Sequence, residues 1–244
     1  MNASQTARQR ARAELTREIK QEARRQLGAA GAQQLSLRAV ARQLGMVSSA
    51  LYRYFPSRDD LLTALIIDAY DALGASAESA YDQAASADAR GRWSAVCQAV
   101  RRWAIGHPHE YALIYGSPVP GYRAPQETVA PAARVPAVIG RILQDACAAR
   151  RPEASPPLRA AQDEPSPRSA GLPPVLAAQA VIVADAIAPD VPEPLILRAL
   201  IGWTQLFGMI SFELFGQLVG SVDPSDQFFG YAVEQMATFI PLEP

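Results

Sequence analysis

The segment from Val40 to Leu51 places the tightest constraint on the fold of this chain. Apolar residues at helical spacing precede Gly45, and a second short helical pattern follows it from Ser48. Two helices that cross steeply within so few residues need a small side chain at the crossing, which Ala41 provides. The sharp turn between them needs a positive φ, which glycine adopts without a steric penalty. The spacing therefore predicts a helix-turn-helix, with Leu51 packed back under its first helix.

The remaining sequence is also patterned as helix. No segment shows sustained alternation of apolar and polar residues, so we predict an all-α protein. A first helix that stops at Gly28 is expected, and further helices are expected over 36–44, 48–55, 57–80, 90–105, 108–115, 126–150, 175–187, 194–218 and 225–240. Pro131 or Pro136 is expected to kink the helix over 126–150. Residues 151–174 are rich in proline, alanine and serine, which predicts a flexible surface loop.

Local signals fix several helix ends. Ser36 is expected to cap the second helix and Gly45 to end it. Ser57 begins the fourth helix, and Asp60 stands three residues later in an arrangement that resembles a capping box. These positions do not depend on packing between distant parts of the chain.

Charge is divided unevenly along the chain. The net charge of −1 arises because residues 1–60 hold eleven basic and five acidic side chains, a net of +6, whereas the remainder holds twelve basic and nineteen acidic ones, a net of −7. A basic first quarter followed by an acidic body favours an anion-binding module attached to a body with another partner. A solvated face on the N-terminal helix would give the same charge, so this alternative stays open.

Composition excludes several classes of protein. At 49% apolar content, a chain of 244 residues can bury a sizeable core, and its two cysteines permit neither a disulfide framework nor a four-cysteine zinc site. The arginine-rich first residues contain no apolar stretch typical of a secretory signal. The most apolar segment, 195–219, is interrupted by polar side chains and predicts a buried helix. We therefore expect a cytoplasmic protein with no membrane partner, no cofactor and no metal.

The residues after the turn carry a family resemblance. The sequence Leu-Tyr-Arg-Tyr-Phe-Pro-Ser-Arg-Asp-Asp-Leu-Leu over 51–62 resembles the signature of the TetR family of transcriptional regulators. An apolar first helix, a helix-turn-helix, an aromatic stretch and a basic residue that opens the fourth helix follow in order over about residues 10–70. The resemblance implies a three-helix helix-turn-helix DNA-binding domain over 1–57 and a larger helical ligand-binding and dimerisation domain over 58–244.

The resemblance also implies which residues contact DNA. Arg53 is expected to bind guanine, Ala50 to pack against a thymine methyl group, and the hydroxyls of Tyr52 and Tyr54 to reach phosphates. The full set of expected DNA contacts is Ser36, Arg38, Ser48, Ser49, Ala50, Tyr52, Arg53, Tyr54 and Arg58. Pure core packing is the alternative for the two tyrosines, and a solvated surface arginine is the alternative for Arg53.

Two features of this N-terminal region depart from a simple match. Val47 stands where many members have a Ser or Thr cap, so the recognition helix is expected to begin one residue later with Ser48 as its cap. Arg8, Arg10 and Arg12 precede the expected first helix, where they either follow the minor groove or form a solvated tail; the tail is the preferred interpretation.

Two later stretches, 102–118 and 202–208, resemble the Trp-His-Gly type of C-terminal domain found in some of these regulators. Aromatic and histidine side chains in them are the candidate effector contacts: Trp103, His107, Tyr111, Tyr115, Trp203 and Phe207. Core packing is the alternative for each aromatic residue. For His107 and His109, helix capping or a core hydrogen bond is preferred over a metal.

The last two helices carry several glycines and much apolar surface, which predicts a homodimer through these two helices of each protomer. The expected function is a repressor that binds a near-palindromic operator in double-stranded DNA and is released by a small-molecule effector. Two alternatives are a helical enzyme and an interaction module whose helix-turn-helix is only structural. We find no catalytic triad spacing and no phosphate-binding loop in the sequence, and the basic first quarter argues against the interaction module.

Overall fold

The structure is a computed structural model that describes residues 3–150 and 171–242, with side chains from residue 7 onward. All regular elements in this part of the chain are helical, which confirms the all-α prediction. The α-helices are α1 (Ala3–Ala30), α2 (Leu37–Gln43), α3 (Ser48–Leu51), α4 (Arg58–Gln83), α5 (Ala89–Gly106), α6 (Pro108–Tyr115), α7 (Val129–Ala132), α8 (Arg134–Ala149), α9 (Pro174–Ile187), α10 (Glu193–Leu214) and α11 (Asp226–Phe239).

The helix expected over 126–150 is divided. A 3₁₀ turn at Gln126–Thr128 leads into α7, and α8 begins after Ala133. Pro131 and Pro136 each lie in the first turn of their helix, where no intrahelical partner is needed for the missing N–H. The prolines therefore separate two helices instead of kinking one.

The chain forms two compact units. The first contains the described residues up to Ala72 together with Gly106–Pro131, and the second contains Leu73–Ile105 together with the described residues from Ala132 onward. The change of unit falls inside α4. The functional domain boundary after residue 57, which the family resemblance implies, stays a prediction. The expected loop over 151–174 lies outside the described residues as far as residue 170, and α9 begins at Pro174.

The core of the first unit is built on the face of α1 that the sequence predicts. Ile19, Ala23 and Leu27 recur every four residues and are buried. They pack in one cluster with buried apolar residues of α2, α3 and α4 and of the turns between them. Side chains from the later segment 106–131 also pack against this cluster: Leu113, Val119 and Tyr122.

The second unit is held together by close helix packing. The indole nitrogen of Trp93 on α5 donates a 3.2 Å hydrogen bond to the main-chain oxygen of Val233 on α11. Gly140 on α8 lies against the end of α9, where a Cβ atom would stand 2.0 Å from the Ile187 oxygen. By length and composition alone α10 could cross a membrane, with a mean hydropathy of 1.5, but it packs against α8, α9 and α11.

An ionic network joins three helices of the second unit. The guanidinium of Arg101 on α5 lies 2.6 and 2.7 Å from the two carboxylate oxygens of Glu213 on α10, and 2.7 Å from Asp226 on α11. The Arg101 side chain is almost fully buried. Its hydrogen bonds lower the pKa of the Glu213 carboxyl, with a smaller contribution from the Ser225 hydroxyl, although burial opposes the shift.

Candidate nucleic-acid interface

The helix-turn-helix forms as the spacing predicts. Gly45 has a φ of +67°, and Val40, Ala41 and Leu51 are buried to within 1% of full burial. Phe55 is buried in the same cluster. The short helix α3 is thus held on α2 by apolar packing, which leaves its other side free for a ligand.

The start of α3 differs from the expectation. Val47, not Ser48, is the N-cap residue, and no side chain caps this helix. Val47 has the extended backbone conformation that is typical of an N-cap residue. The prediction that Ser48 caps the helix is therefore wrong. Ser48 is half-buried at the first position of α3, Ser49 is exposed beside it, and Ala50 is half-buried.

The aromatic stretch forms the turn that follows α3. Regular helix ends at Leu51, but the N–H of Phe55 still donates to the Leu51 oxygen at 3.1 Å, so the chain stays coiled as far as Phe55. Tyr52 and Arg53 are exposed on this turn, whereas Tyr54 is half-buried and packs against the core cluster. The two tyrosines therefore have different environments, although the sequence predicts the same phosphate contact for both.

Ser36 caps α2 as predicted. Its hydroxyl oxygen accepts a hydrogen bond from the N–H of Ala39 at 3.4 Å, and Arg38 is exposed on the first turn of the helix. Ser57 acts in the same way at α4, where its hydroxyl accepts from the Asp60 N–H at 3.1 Å and donates to the Asp60 carboxylate at 2.7 Å. Both capping predictions are confirmed.

Arg58 opens α4, but its guanidinium is engaged by main-chain oxygens. It donates to the oxygens of Ala32, Gln33 and Leu35 at 2.8, 3.3 and 3.2 Å. These residues form the turn between α1 and α2. The side chain is 31% exposed, so a phosphate contact stays a prediction, while the carbonyl contacts give Arg58 a structural role that the sequence did not indicate.

The arginines at the N-terminus lie within α1. The sequence predicts that Arg8, Arg10 and Arg12 precede the first helix, with a solvated tail preferred, but α1 already begins at Ala3. The prediction that they precede the helix is wrong. The signal was available, because alanine, arginine and glutamine, which dominate residues 7–13, are good helix formers.

The segment 106–131 belongs to the first unit, which the sequence did not predict. Tyr111 on α6 is fully buried there, and the hydroxyls of Thr63 and Tyr122 share a 2.9 Å hydrogen bond. The imidazole of His109 covers Gly28 so closely that a Cβ atom on this glycine would stand 3.0 Å from it. An ionic cluster reinforces the packing of α6 on α1 and α4.

That cluster is centred on Asp68 of α4. Lys20 and Arg24 of α1 bind its two carboxylate oxygens at 2.7 and 2.5 Å, and Arg24 also lies 3.8 Å from Glu110 of α6. All four side chains are between 20 and 32% exposed, so each pair is partly shielded from solvent. The cluster fixes three helices of the first unit relative to one another.

The six candidate effector residues are divided between the units. His107, Tyr111 and Tyr115 lie in the first unit, where the rings of Tyr111 and Tyr115 are 5.2 Å apart. Trp103, Trp203 and Phe207 lie in the second unit, where the rings of Trp203 and Phe207 are 5.7 Å apart. His107 is the N-cap residue of α6 without a side-chain capping bond. Burial and then the neighbouring tyrosines raise the pKa of the Tyr115 hydroxyl, which keeps it neutral.

One polar atom of this candidate set has no partner. The indole nitrogen of Trp203 is buried and finds no hydrogen-bond acceptor among the described residues. The two cysteines offer no comparable chemistry: Cys97 is fully buried, which raises the pKa of its thiol, and Cys147 is half-buried. Within residues 3–150 and 171–242 no group of three or more His, Cys, Asp or Glu side chains is placed to hold a metal.

The first unit thus presents a helix-turn-helix of the DNA-binding type, with serine, arginine and tyrosine side chains exposed around α3. Comparison with known families agrees. A family model described as bacterial regulatory proteins, tetR family, matches residues 19–65, and one described as the tetracyclin repressor-like C-terminal domain matches residues 93–236, which is more than half of the chain. The chain belongs to the TetR family of DNA-binding transcriptional regulators. Members of this family are regulators and not enzymes.

Individual relatives give the same result. The HTH-type transcriptional regulator Rv1816 of Mycobacterium tuberculosis is 49% identical over 120 residues, as is Mb1846 of Mycobacterium bovis. The match covers 49% of this chain and 51% of each relative, so the chain spans about half the length of the curated relatives it matches. The assignment to the Trp-His-Gly subgroup stays a prediction.

Solved structures extend the comparison over most of the chain. The crystal structure of SCO4313, described as a regulatory protein, is 34% identical, has a TM-score of 0.74 and covers 94% of this chain and 98% of its own. A protein of unknown function from Rhodococcus sp. RHA1 has a TM-score of 0.59 at 24% identity and covers 93% of this chain and 94% of its own. The second likeness supports the fold alone.

Proposed function

We propose that this protein is a homodimeric cytoplasmic repressor that binds a near-palindromic operator in double-stranded DNA and leaves it when a small-molecule effector binds. The observation that carries the proposal is the exposure of Ser49, Tyr52 and Arg53 on a helix-turn-helix whose opposite side is packed into a core. Side chains in this position reach base edges and phosphates when the helix enters the major groove.

Arg53 is the proposed base-reading residue. An arginine that binds guanine through two hydrogen bonds discriminates against other bases by about 1–3 kcal/mol. Ser48, Ser49 and Ala50 are proposed to lie against neighbouring bases or phosphates, and Tyr52, Tyr54, Ser36, Arg38 and Arg58 against the backbone. The half-buried state of Tyr54 and the carbonyl contacts of Arg58 leave these two with less freedom to reach DNA.

The test begins with selection of binding sites from a random pool of duplexes. We expect the recovered sites to be near-palindromic, with affinity that falls steeply with salt. Because the dimer would lose two such contacts, Arg53→Ala should lose at least about 30-fold of the preference for the selected duplex over a random one. Arg102→Ala removes another exposed arginine, on α5 in the second unit, and serves as the control. If Arg53→Ala and Arg102→Ala show the same preference for the selected duplex over a random one, Arg53 does not read the operator sequence.

The dimer is proposed to form through α10 and α11, because both carry large apolar side chains that are exposed in the single chain. These exposed residues are Ile201, Phe212 and Phe215 at α10 and Phe228, Tyr231 and Phe239 on α11. On each helix they recur at a spacing close to the helical period, so they line one stripe. Two copies related by a twofold axis would bury these stripes in a self-complementary four-helix interface.

The candidate effector contacts fall in two groups, each proposed by itself: Trp103, Trp203 and Phe207 in the second unit, and His107, Tyr111 and Tyr115 in the first. The unpartnered indole N–H of Trp203 favours a ligand that carries a hydrogen-bond acceptor, because a buried donor without a partner costs about 1–3 kcal/mol. Mass spectrometry of small molecules that co-purify with the protein would identify candidates. A compound found in this way should release the selected duplex, and Trp203→Phe should weaken that compound's binding without loss of protein stability.

A further inference from the structure

The first turns of α1 form a helix without a core of its own. Every side chain from Ala7 to Glu14 is exposed, and from Ala7 onward the first fully buried residue of α1 is Ile19. This stretch contains three arginines and one glutamate, and Glu14 is paired with Arg17 at 2.5 Å. Because none of these side chains is buried inside its own unit, their charge is accessible to a partner.

Two of these arginines lie on the face of α1 that meets the helix-turn-helix. Arg8, Arg12, Leu15 and Ile19 follow one another at spacings of four, three and four residues, which places them on one side of the helix. Ile19 is buried in the core of the first unit, and Leu15 packs against that core. Arg8 and Arg12 therefore continue the packed face of α1 beyond the end of the core.

Arg12 connects this face to the recognition turn. Its guanidinium lies 5.5 Å from the centre of the Tyr54 ring. Tyr54 follows directly after Arg53, the exposed arginine proposed to read guanine. Arg8 lies one helical turn further along α1, about 5 to 6 Å beyond Arg12. The basic face of α1 is thus continuous with the proposed DNA-reading surface.

We propose that Arg8 and Arg12 form a second DNA contact in each protomer, in which their guanidinium groups bind backbone phosphates beside the site read by α3. The inference rests on the proposed function, since it requires the first unit to dock on DNA through α3. Phosphate is the favoured partner because arginine binds it through two parallel hydrogen bonds, and the contact needs no base sequence.

Helix geometry supplies a matched control. Arg10 and Arg17 stand seven residues apart on the opposite side of α1 from Arg8 and Arg12, by the 3.6-residue period. The variants Arg8→Gln/Arg12→Gln and Arg10→Gln/Arg17→Gln therefore change the net charge of the same helix equally. Helical content and thermal unfolding of both variants are measured first. If loss of the Arg12–Tyr54 contact affects folding, Arg8→Lys/Arg12→Lys provides a variant that keeps the charge.

The readout is the salt dependence of binding to the selected duplex and to a random duplex of equal length. Each phosphate contact contributes about 0.9 to the slope of log affinity against log salt, so the Arg8/Arg12 variant should lose about 1.8 per protomer bound. Two protomers bind the duplex, so the loss per dimer is about 3.6. Between about 50 and about 200 mM salt, the affinity of the unmodified protein should then fall about 150-fold more than that of this variant. The preference for the selected duplex should not change, and the Arg10/Arg17 control and the lysine variant should keep the slope.

The following results would overturn the inference. Equal slopes in the two double glutamine variants would mean that only overall charge matters. A loss of sequence preference as large as that of Arg53→Ala would mean that Arg8 and Arg12 read bases and do not bind the backbone. If the unmodified protein binds neither duplex, the proposed function itself fails, whereas binding with an unchanged slope in the Arg8/Arg12 variant overturns this inference alone.

Discussion

The guanidinium of Arg58 donates a 2.8 Å hydrogen bond to the main-chain oxygen of Ala32, a residue 26 positions earlier in the chain. Together with its contacts to the Gln33 and Leu35 oxygens, this bond closes the turn between α1 and α2. Ser36, the cap of α2, follows directly after that turn. The first residue of α4 therefore helps to fix where α2 begins, and a position that the family pattern assigns to phosphate binding also supports the fold.

Arg58→Lys separates these two roles. Lysine keeps the charge but lacks the planar set of donors that reaches three carbonyl oxygens at once. We expect it to lower the free energy of unfolding by about 2 kcal/mol, since hydrogen bonds to a charged group each contribute about 1.5–3 kcal/mol and the site is partly exposed. The salt slope of DNA binding should persist in Arg58→Lys and fall by about 0.9 per protomer in Arg58→Ala if the charge also meets a phosphate. Denaturant unfolding of Arg58→Lys equal to that of the unmodified protein would contradict the structural role.

The Arg101–Glu213 pair predicts a pH dependence of stability. Hydrogen bonds from Arg101 hold the pKa of the Glu213 carboxyl below its ordinary value in the folded state. A group with a lowered folded pKa stabilises the protein at pH values above its unfolded pKa of about 4.3 and loses this contribution as the pH falls through the folded value. Glu213→Gln should therefore be destabilised at pH 7, and its difference from the unmodified protein should shrink below about pH 4.

Unfolding by denaturant at pH 7 and at pH 3 measures this difference. Glu234→Gln is the control, because Glu234 is paired with Arg90 at 2.8 Å but is about half exposed, and exposed pairs contribute about 1 kcal/mol or less. A constant difference between Glu213→Gln and the unmodified protein across this range would show that the carboxylate charge does not stabilise the network.

Features that depend on a few adjacent residues were predictable from the sequence. The positive φ of Gly45 and the caps at Ser36 and Ser57 follow from local chemistry, and the structure has all three. The N-cap at Val47 does not follow from side-chain preference, because valine has no side-chain group that can cap a helix. In the structure the backbone of Val47 already has the extended conformation of a cap, so α3 begins there without a side-chain bond.

Contacts between distant segments were not predictable. The sequence pattern around residues 108–122 predicts a helix and a loop but does not indicate which core its apolar residues join. In the structure the core of the first unit is joined by Leu113, Val119 and Tyr122. The carbonyl partners of Arg58 lie more than 20 residues away, and no spacing rule links them. Different environments for Tyr52 and Tyr54 likewise arise from the packing of α1, since Arg12 covers only the second ring.

Gly140 provides a sharp test of helix packing in the second unit. A Cβ atom at this position would stand 2.0 Å from the main-chain oxygen of Ile187, which cannot move aside without shifting the end of α9. Gly140→Ala should therefore be destabilised by about 1–3 kcal/mol, although alanine favours the helix. Gly230→Ala, in α11 with open space around the added atom, should instead be stabilised by up to about 1 kcal/mol. Thermal unfolding that ranks the two variants the other way would contradict the close approach of α8 and α9.

The proposed dimer predicts a coupled loss of assembly and DNA affinity. Phe212 on α10 is 57% exposed, and a carboxylate in its place would be buried without a partner if α10 forms the interface. Phe212→Glu should sediment as a monomer at micromolar concentration, where the unmodified protein sediments as a dimer. Its affinity for the selected duplex should fall by about 100-fold or more, because the two half-sites are then bound independently. Ile105→Glu, which changes an exposed apolar residue on α5, should leave both properties unchanged. Dimeric Phe212→Glu would exclude this part of α10 from the interface, and a monomeric unmodified protein would exclude the four-helix arrangement itself.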